Sequence, residues 1–357
     1  MKILYVISSL GAGGAEKILV EQANYLSRNG YSIVIVVFDR AKSFYEIDPA
    51  IKIIVLSYTS SKLWLFKYIQ IIFTIIVLLK EVFTKENPDI IISFITRTNI
   101  YATIAAKLAK KVIILSEHTN YKRNAHDMLG LMRRIIYPFA DAVVVLTDYD
   151  KNMYKFLNNI YTINNPLVLT NKHINVSREK VILGVGRLID LKGFDNLLQA
   201  FAQLEAPEWK LIIIGDGPNR QLLEELALKL SIQDKVELIG IVTDVELYYK
   251  KASIFVLSSK IEGFPNALCE AMGYGCPSIS FDCLTGPGEI ITNNVDGILV
   301  EPDNVEKLTE VMQKVINDRN LQNYLSTNSK KIINKLDIDR IMQRWLNIIK
   351  DVKNHVK

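Results

Sequence analysis

The chain has 357 residues, 49% of them hydrophobic, so it can bury a large core, and its length suits about two domains. Its three cysteines, Cys269, Cys276 and Cys283, are odd in number and lack metal-like pairing, which argues against a disulfide framework and a zinc site and suits a reducing cytoplasm. The formal net charge of +5 is uneven: residues 1–166 carry 20 Lys/Arg and 13 Asp/Glu, a net of +7, which leaves 23 basic and 25 acidic residues, a net of −2. A basic first half suits an anionic partner such as a phospholipid surface or a phosphorylated acceptor. The cations are spread out and no aromatic-basic module accompanies them, which argues against nucleic acid.

Lys2 precedes the apolar run Ile3–Leu10, which is too short for a signal peptide and leads directly into GAGGAE. A strand entering a glycine-rich turn is expected there, followed by a helix from about Ala15 to Arg28 that stops at Asn29-Gly30. Further unbroken apolar runs are Ile33–Phe38, Ile51–Leu56, Ile90–Phe94, Val112–Leu115 and Ala142–Leu146, with helical patterns between several of them. Unbroken Val/Ile runs alternating with helices imply a parallel sheet covered on both faces.

Residues Leu63–Leu79 break this plan. Their only charge is Lys67, yet the run falls short of the roughly 20 residues that span a bilayer. Two readings stay open: a buried domain helix, or a helix lying in a membrane interface with Trp64 and the flanking lysines as anchors. After a polar segment, Asn164–Glu179, that contains Asn165-Pro166 and reads as the domain linker, the plan repeats with Val181–Val185, Lys210–Ile214, Val236–Ile239, Ile254–Leu257, Ser278–Phe281 and Ile298–Val300. The chain closes on a helix with an apolar stripe, Ile338, Ile341, Met342, Trp345, Ile348 and Ile349.

The stretch Phe255–Cys276 carries the most chemistry. It reads as a short strand, a loop holding Glu262 and Gly263, and a helix entered at Pro265 and running through Ala271, with Glu270 one turn in. Free amides at such a helix start attract phosphate, while carboxylates accept hydrogen bonds from sugar hydroxyls. Arg187 and Lys192 in GRLIDLKG add a fork-shaped and a point cation at a strand end, a pair suited to a diphosphate without a metal. The N-terminal loop Gly11, Gly13, Gly14 lets backbone approach a ligand; it lacks the G-x-G-x-x-G dinucleotide fingerprint, and Asp39 is the only acid placed for a ribose contact. His118, next to Glu117 at a strand end, is either a hydrogen-bonded structural histidine or a group facing a ligand. Lys122, Arg123, Arg133 and Arg134 form either a solvated helix face or a patch for an acceptor phosphate or lipid headgroup. His126 and His173 have no comparable setting, and no His/Asp/Glu cluster has metal-ligand spacing.

Taken together, GAGGAE, SEH, NP, GRL-x3-KG, GDGP, EGFPNALCEAMGYGCP, TGPGEII and DGILVEPDN resemble the retaining glycosyltransferase family 4 over nearly the whole chain. The resemblance implies α/β architecture of the GT-B type: two Rossmann-like domains whose parallel sheets face a central cleft. Residues 1–168 would bind the acceptor and 178–337 the nucleotide sugar, with the terminal helix, about 338–357, packing back on the first domain. It implies transfer of a hexose or N-acetylhexosamine from a UDP-sugar with retained configuration, no cofactor and no metal. Arg187 and Lys192 would hold the donor diphosphate, with Gly186 on the same loop. Glu270 would bind the ribose, and Glu262 with the backbone of Gly263, Phe264, Pro265 and Asn266 the donor sugar. His118 would face the sugar near the reacting centre, and Gly14 would bring an amide to the phosphates.

The segment SFDCLTGPGEII particularly resembles enzymes that extend glycans on polyprenyl-diphosphate lipids or build surface polysaccharides, which implies a peripheral enzyme on the cytoplasmic face of the plasma membrane. The membrane stripe has one lysine where some members are strongly basic. A sugar-nucleotide epimerase of the same fold, which needs no acceptor, and a non-catalytic sugar-nucleotide-binding subunit are the alternatives; the missing fingerprint argues against an NAD oxidoreductase.

Overall fold

The computed structural model describes residues 1–38, 42–56, 67–169 and 177–355. Asp39, Trp64, His173 and the middle of the expected linker lie outside the described residues. The chain divides into two units, Met1–Pro166 with Asp339–Lys357, and Leu167–Ile338.

The first unit holds strands β1 (Lys2–Ile7), β2 (Ser32–Val37), β3 (Lys52–Val55), β4 (Ile90–Phe94), β5 (Ile113–Glu117), β6 (Ala142–Val145) and β7 (Ile160–Thr162). All pair in parallel in the order β3-β2-β1-β4-β5-β6-β7. Residues Ile3–Ile7 and Ile90–Ile92 are fully buried, which is why these strands read as continuous apolar runs rather than alternating ones. Strand β7 was not legible beforehand: three half-buried residues at a sheet edge, set among asparagines, give no hydrophobic run.

The helix Lys67–Glu86 covers this sheet. Its Ile75, Leu79 and Phe83 are buried, and Ile71, Ile72, Ile76, Leu78 and Val82 pack on the same core, while Phe73 is 68% exposed. Core packing therefore accounts for the apolar character of residues 71–83 apart from Phe73. No helix among the described residues is long and apolar enough to cross a membrane.

The terminal helix Ile338–His355 buries Ile341, Met342, Trp345, Ile348, Ile349 and Val352. From Asp339 onward it belongs to the first unit, where the Tyr25 hydroxyl donates to Asp339 Oδ1 at 2.7 Å and Lys353 Nζ to Asp89 Oδ1 at 2.7 Å.

The second unit holds β8 (Glu179–Val185), β9 (Lys210–Ile214), β10 (Val236–Gly240), β11 (Ala252–Leu257), β12 (Ser278–Phe281) and β13 (Ile298–Val300), all parallel, in the order β10-β9-β8-β11-β12-β13. Both sheets reverse their direction of growth once, between β1 and β4 in the first unit and between β8 and β11 in the second. At such a reversal the loops leaving the two carboxyl ends diverge to opposite faces and open a crevice where doubly wound sheets bind ligands.

Candidate active site

In the second unit the two loops at the reversal are those that carry the singled-out residues. The loop after β8 contains Gly186, Arg187 and Lys192; the loop after β11 contains Glu262, Gly263, Phe264 and Pro265. They are joined by one backbone and one side-chain hydrogen bond: Lys260 N donates to Leu191 O at 2.9 Å, and Ser258 Oγ to Lys192 O at 3.0 Å. Gly193 permits this closeness. Its φ is 59°, and a Cβ there would sit 2.1 Å from the Ser258 carbonyl oxygen, so a side chain would be both strained and obstructed.

The joined loops bring Lys192 Nζ within 2.6 Å of Glu262 Oε1. The Glu262 side chain is 7% exposed and that of Lys192 24%, so this is a largely desolvated, charge-assisted contact. Glu262, a solvated loop acid when considered alone, is instead a buried partner of the cation. Its main-chain carbonyl accepts from the Thr285 hydroxyl, which arrives from the loop after β12. Thr285 went unrecognised in the sequence because nothing local to TGPG indicates that it reaches a residue 23 positions away. Arg187 is exposed on the same loop as Lys192.

The helix that follows begins at Asn266, one residue later than expected, and Pro265 occupies the N-cap with φ −84° and ψ 73°. Its start is less open than expected. The Asn266 amide donates to Phe264 O at 3.0 Å, and those of Leu268 and Cys269 donate to Pro265 O at 3.0 and 3.2 Å. These three donors are therefore engaged within the turn. Glu270 is half-buried, and its Oε2 accepts from the Tyr249 hydroxyl at 3.0 Å. Burial, and then the Glu270 charge, push the Tyr249 hydroxyl well above the usual tyrosine range, so it stays a proton donor that orients the carboxylate. Tyr249 is a second orienting residue that the sequence did not reveal.

In the first unit, Gly14 opens the helix Gly14–Arg28 and is exposed, with Gly13 at the N-cap. His118 follows β5 and stacks on Phe94, with ring centroids 4.9 Å apart, and its Nε2 lies 3.0 Å from Ser116 Oγ. It keeps part of its surface, yet desolvation pushes its imidazole down to about 3, so the ring is neutral at pH 7. Beneath it Glu117 is buried: its Oε2 accepts from Thr96 Oγ1 at 2.8 Å and from the Tyr137 hydroxyl at 2.5 Å, and its Oε1 from Thr119 N at 2.9 Å. This network fixes the turn that carries His118.

The basic patch requires a correction. Lys122, Arg123 and Arg134 are exposed, but Arg133 is fully buried. Its guanidinium lies 4.1 Å from the Tyr121 ring centroid and 5.2 Å from that of Tyr154, and Nη2 donates to Tyr121 O at 2.9 Å. Arg133 is thus enclosed by aromatic faces and is not part of a surface for phosphate or lipid headgroups. Among the described residues no three His, Cys, Asp or Glu side chains are grouped so as to hold a metal ion.

Two parallel doubly wound units are the architecture of the GT-B fold, and comparison with known proteins specifies the family. Residues 12–168 match the model of Glycosyltransferase Family 4, and residues 169–332 that of Glycosyl transferases group 1. A Campylobacter jejuni enzyme, GalNAc-alpha-(1->4)-GalNAc-alpha-(1->3)-diNAcBac-PP-undecaprenol alpha-1,4-N-acetyl-D-galactosaminyltransferase, is 33% identical, with 99% of each chain covered. The amylovoran biosynthesis glycosyltransferase AmsD of Erwinia amylovora is 26% identical, over 98% of this chain and 99% of its own. Among solved structures, sucrose-phosphate synthase from Thermosynechococcus elongatus superimposes with a TM-score of 0.83 at 18% identity, covering 98% of both chains. Anabaena HepE in complex with UDP and glucose gives 0.80 at 18% identity, over 98% of this chain and 100% of its own; at such identity both establish the fold alone. The chain belongs to glycosyltransferase family 4.

Proposed function

We propose that this glycosyltransferase moves a hexose or N-acetylhexosamine from a UDP-sugar to a glycan carried on a polyprenyl diphosphate, or to a growing surface polysaccharide, with retention of configuration and without a resident metal. The observation that carries the reading is the Lys192–Glu262 pair at 2.6 Å, set with Arg187 in the two loops at the β8/β11 reversal. The 33% identical relative, whose name specifies an undecaprenyl-diphosphate-linked glycan acceptor, supports the acceptor class.

Transfer breaks the bond between the anomeric carbon and the diphosphate oxygen and forms a bond from that carbon to an acceptor hydroxyl oxygen. The electron pair of the broken bond goes to the diphosphate, which develops negative charge as the sugar departs. Lys192, pre-oriented by Glu262, and Arg187 offset that charge. With attack on the face the leaving group vacates, the departing diphosphate oxygen is the nearest base for the hydroxyl proton, which accounts for retention. Glu270, oriented by Tyr249, accepts from the ribose hydroxyls, and the backbone of Gly186 and of Gly263–Asn266 lines the donor. His118, neutral at pH 7, exchanges hydrogen bonds with sugar hydroxyls without bringing charge. The enzyme would act as a peripheral protein on the inner face of the plasma membrane, where such acceptors are held.

The test is UDP release from a panel of UDP-sugars with a lipid-linked glycan acceptor. Acceptor-dependent UDP release with an α-linked product supports the reading; conversion of the donor in the absence of acceptor, or an inverted linkage, sinks it.

A further inference from the structure

We propose that the helix Met128–Ile136 and the turn after it dock this enzyme on anionic lipid bilayers, and that the helix Lys67–Glu86 is not the membrane-facing element. The purpose of such docking rests on the lipid-linked acceptor argued above; its geometry does not.

Met128, Leu131 and Ile135 are 71%, 54% and 56% exposed, and Phe139, in the following turn Tyr137–Phe139, is 61% exposed. At about 100° per residue, the three helical positions fall within an arc of roughly 60°, one continuous apolar strip open to solvent. Arg133 lies on the opposite side, buried against the Tyr121 and Tyr154 rings, and so fixes which face points outward. In contrast, the helix Lys67–Glu86 directs Ile75, Leu79 and Phe83 into the core and leaves Phe73 as its large exposed hydrophobic residue among those described.

One exposed cation borders the strip and two more lie on the turn before the helix. Arg134 is exposed one position from Ile135, and Gly130, one turn before it, has its missing side chain replaced by the Asn124 carbonyl, which a Cβ would meet at 1.8 Å. That contact, with the Arg133 Nη2 bond to Tyr121 O, holds the turn Tyr121–Asn124 against the Gly130 and Arg133 side of the helix, with Lys122 and Arg123 exposed just before its N-terminal end. The adjacent acid, Asp127, is engaged as the helix cap, with Oδ1 accepting from Gly130 N at 2.8 Å and Oδ2 from Asn124 Nδ2 at 2.7 Å. An apolar strip with Arg134 beside it and Lys122 and Arg123 exposed on the turn before the helix is complementary to a bilayer surface: acyl chains take the strip and anionic headgroups the cations.

The experiment is co-sedimentation of the purified full chain with phosphatidylcholine vesicles, with and without phosphatidylglycerol. Wild type should bind the anionic vesicles and be released by salt. Leu131→Ser with Ile135→Ser and Phe139→Ser should lower the partition coefficient at least tenfold, and Lys122→Gln, Arg123→Gln or Arg134→Gln about fivefold each, while Phe73→Ser leaves it unchanged. Unaltered binding by the triple variant, loss of binding with Phe73→Ser alone, or a self-association in sedimentation velocity that the triple variant abolishes while wild type ignores vesicles would each overturn the proposal. Vesicle binding needs no donor sugar, so a failure of acceptor-dependent UDP release would strike the transfer reading and leave this one to be decided by the vesicles.

Discussion

Lys192 and Glu262, 70 residues apart in the chain, meet at 2.6 Å because β8 and β11 are neighbours in the sheet. The pair holds the Lys192 ammonium in a fixed position, as the role proposed for it beside a developing diphosphate charge requires. Lys192→Ala and Arg187→Ala should each lower kcat/KM for the UDP-sugar by about 2 to 4 kcal/mol of transition-state stabilisation. Glu262→Gln should also reduce turnover, since it leaves Lys192 without its anionic partner while preserving shape. Steady-state UDP release measures all three, and unchanged rates in both cation variants would exclude the assignment.

Arg133 should behave as a structural residue. Arg133→Ala removes a planar group packed against Tyr121 and Tyr154 and opens a cavity around buried hydroxyls, and should destabilise the first unit by about 3 kcal/mol. Arg133→Lys keeps the charge but not the stacking plane, and should recover less than half of that loss. Urea midpoints report both; an Arg133→Ala protein of wild-type stability with weakened vesicle binding would return this residue to the surface patch.

Acid should weaken the first unit through His118. Its folded value, about 3, lies below the usual histidine value near 6.5, so between those limits the unfolded chain binds a proton that the native chain does not. Stability from this group is complete above about pH 6.5 and falls as pH drops toward 3, by at most about 1.4 kcal/mol per pH unit. Asp150 acts in the opposite direction. Burial raises its carboxyl to about 6, so the native state gains a proton as pH falls through 6 and offsets part of the loss down to the ordinary aspartate range. His118→Gln should therefore flatten the decline in urea midpoint between pH 7 and pH 5, and an equal slope in wild type and variant would refute the histidine's part.

The three cysteines should be inert in the native protein. All are buried, and burial pushes Cys276 and Cys283 up to about 12 and Cys269 higher still, so none forms a thiolate at neutral pH. A thiol-specific reagent should label none on the time scale that labels all three in denaturant. Prompt labelling of any one in the folded enzyme would contradict this burial.

The parallel two-part architecture was legible in the sequence because a strand buried on both faces must be apolar at every position, as Ile3–Ile7 and Ile90–Ile92 are. The loops GRLIDLKG and EGFPNAL were equally legible, since their glycines, prolines and charged residues state local backbone and chemical needs. Partners brought from a distance were not. Thr285 and Tyr249, which orient Glu262 and Glu270, carry no local mark of that role.

The chain by itself determined the alternation of strand and helix, the family and the residues that carry charge at strand ends, because each follows from a local pattern of hydrophobicity, turn chemistry and spacing. Only the tertiary structure decided how neighbours diverge. Arg133 and Arg134 are adjacent and chemically identical, yet one is enclosed by Tyr121 and Tyr154 while the other borders the apolar strip in solvent. A helical step of about 100° separates them, and what meets each side is set by rings arriving from other segments. Likewise, Lys192 and Glu262 become a pair only when strand order makes β8 and β11 adjacent, a non-local choice governed by packing of the whole sheet.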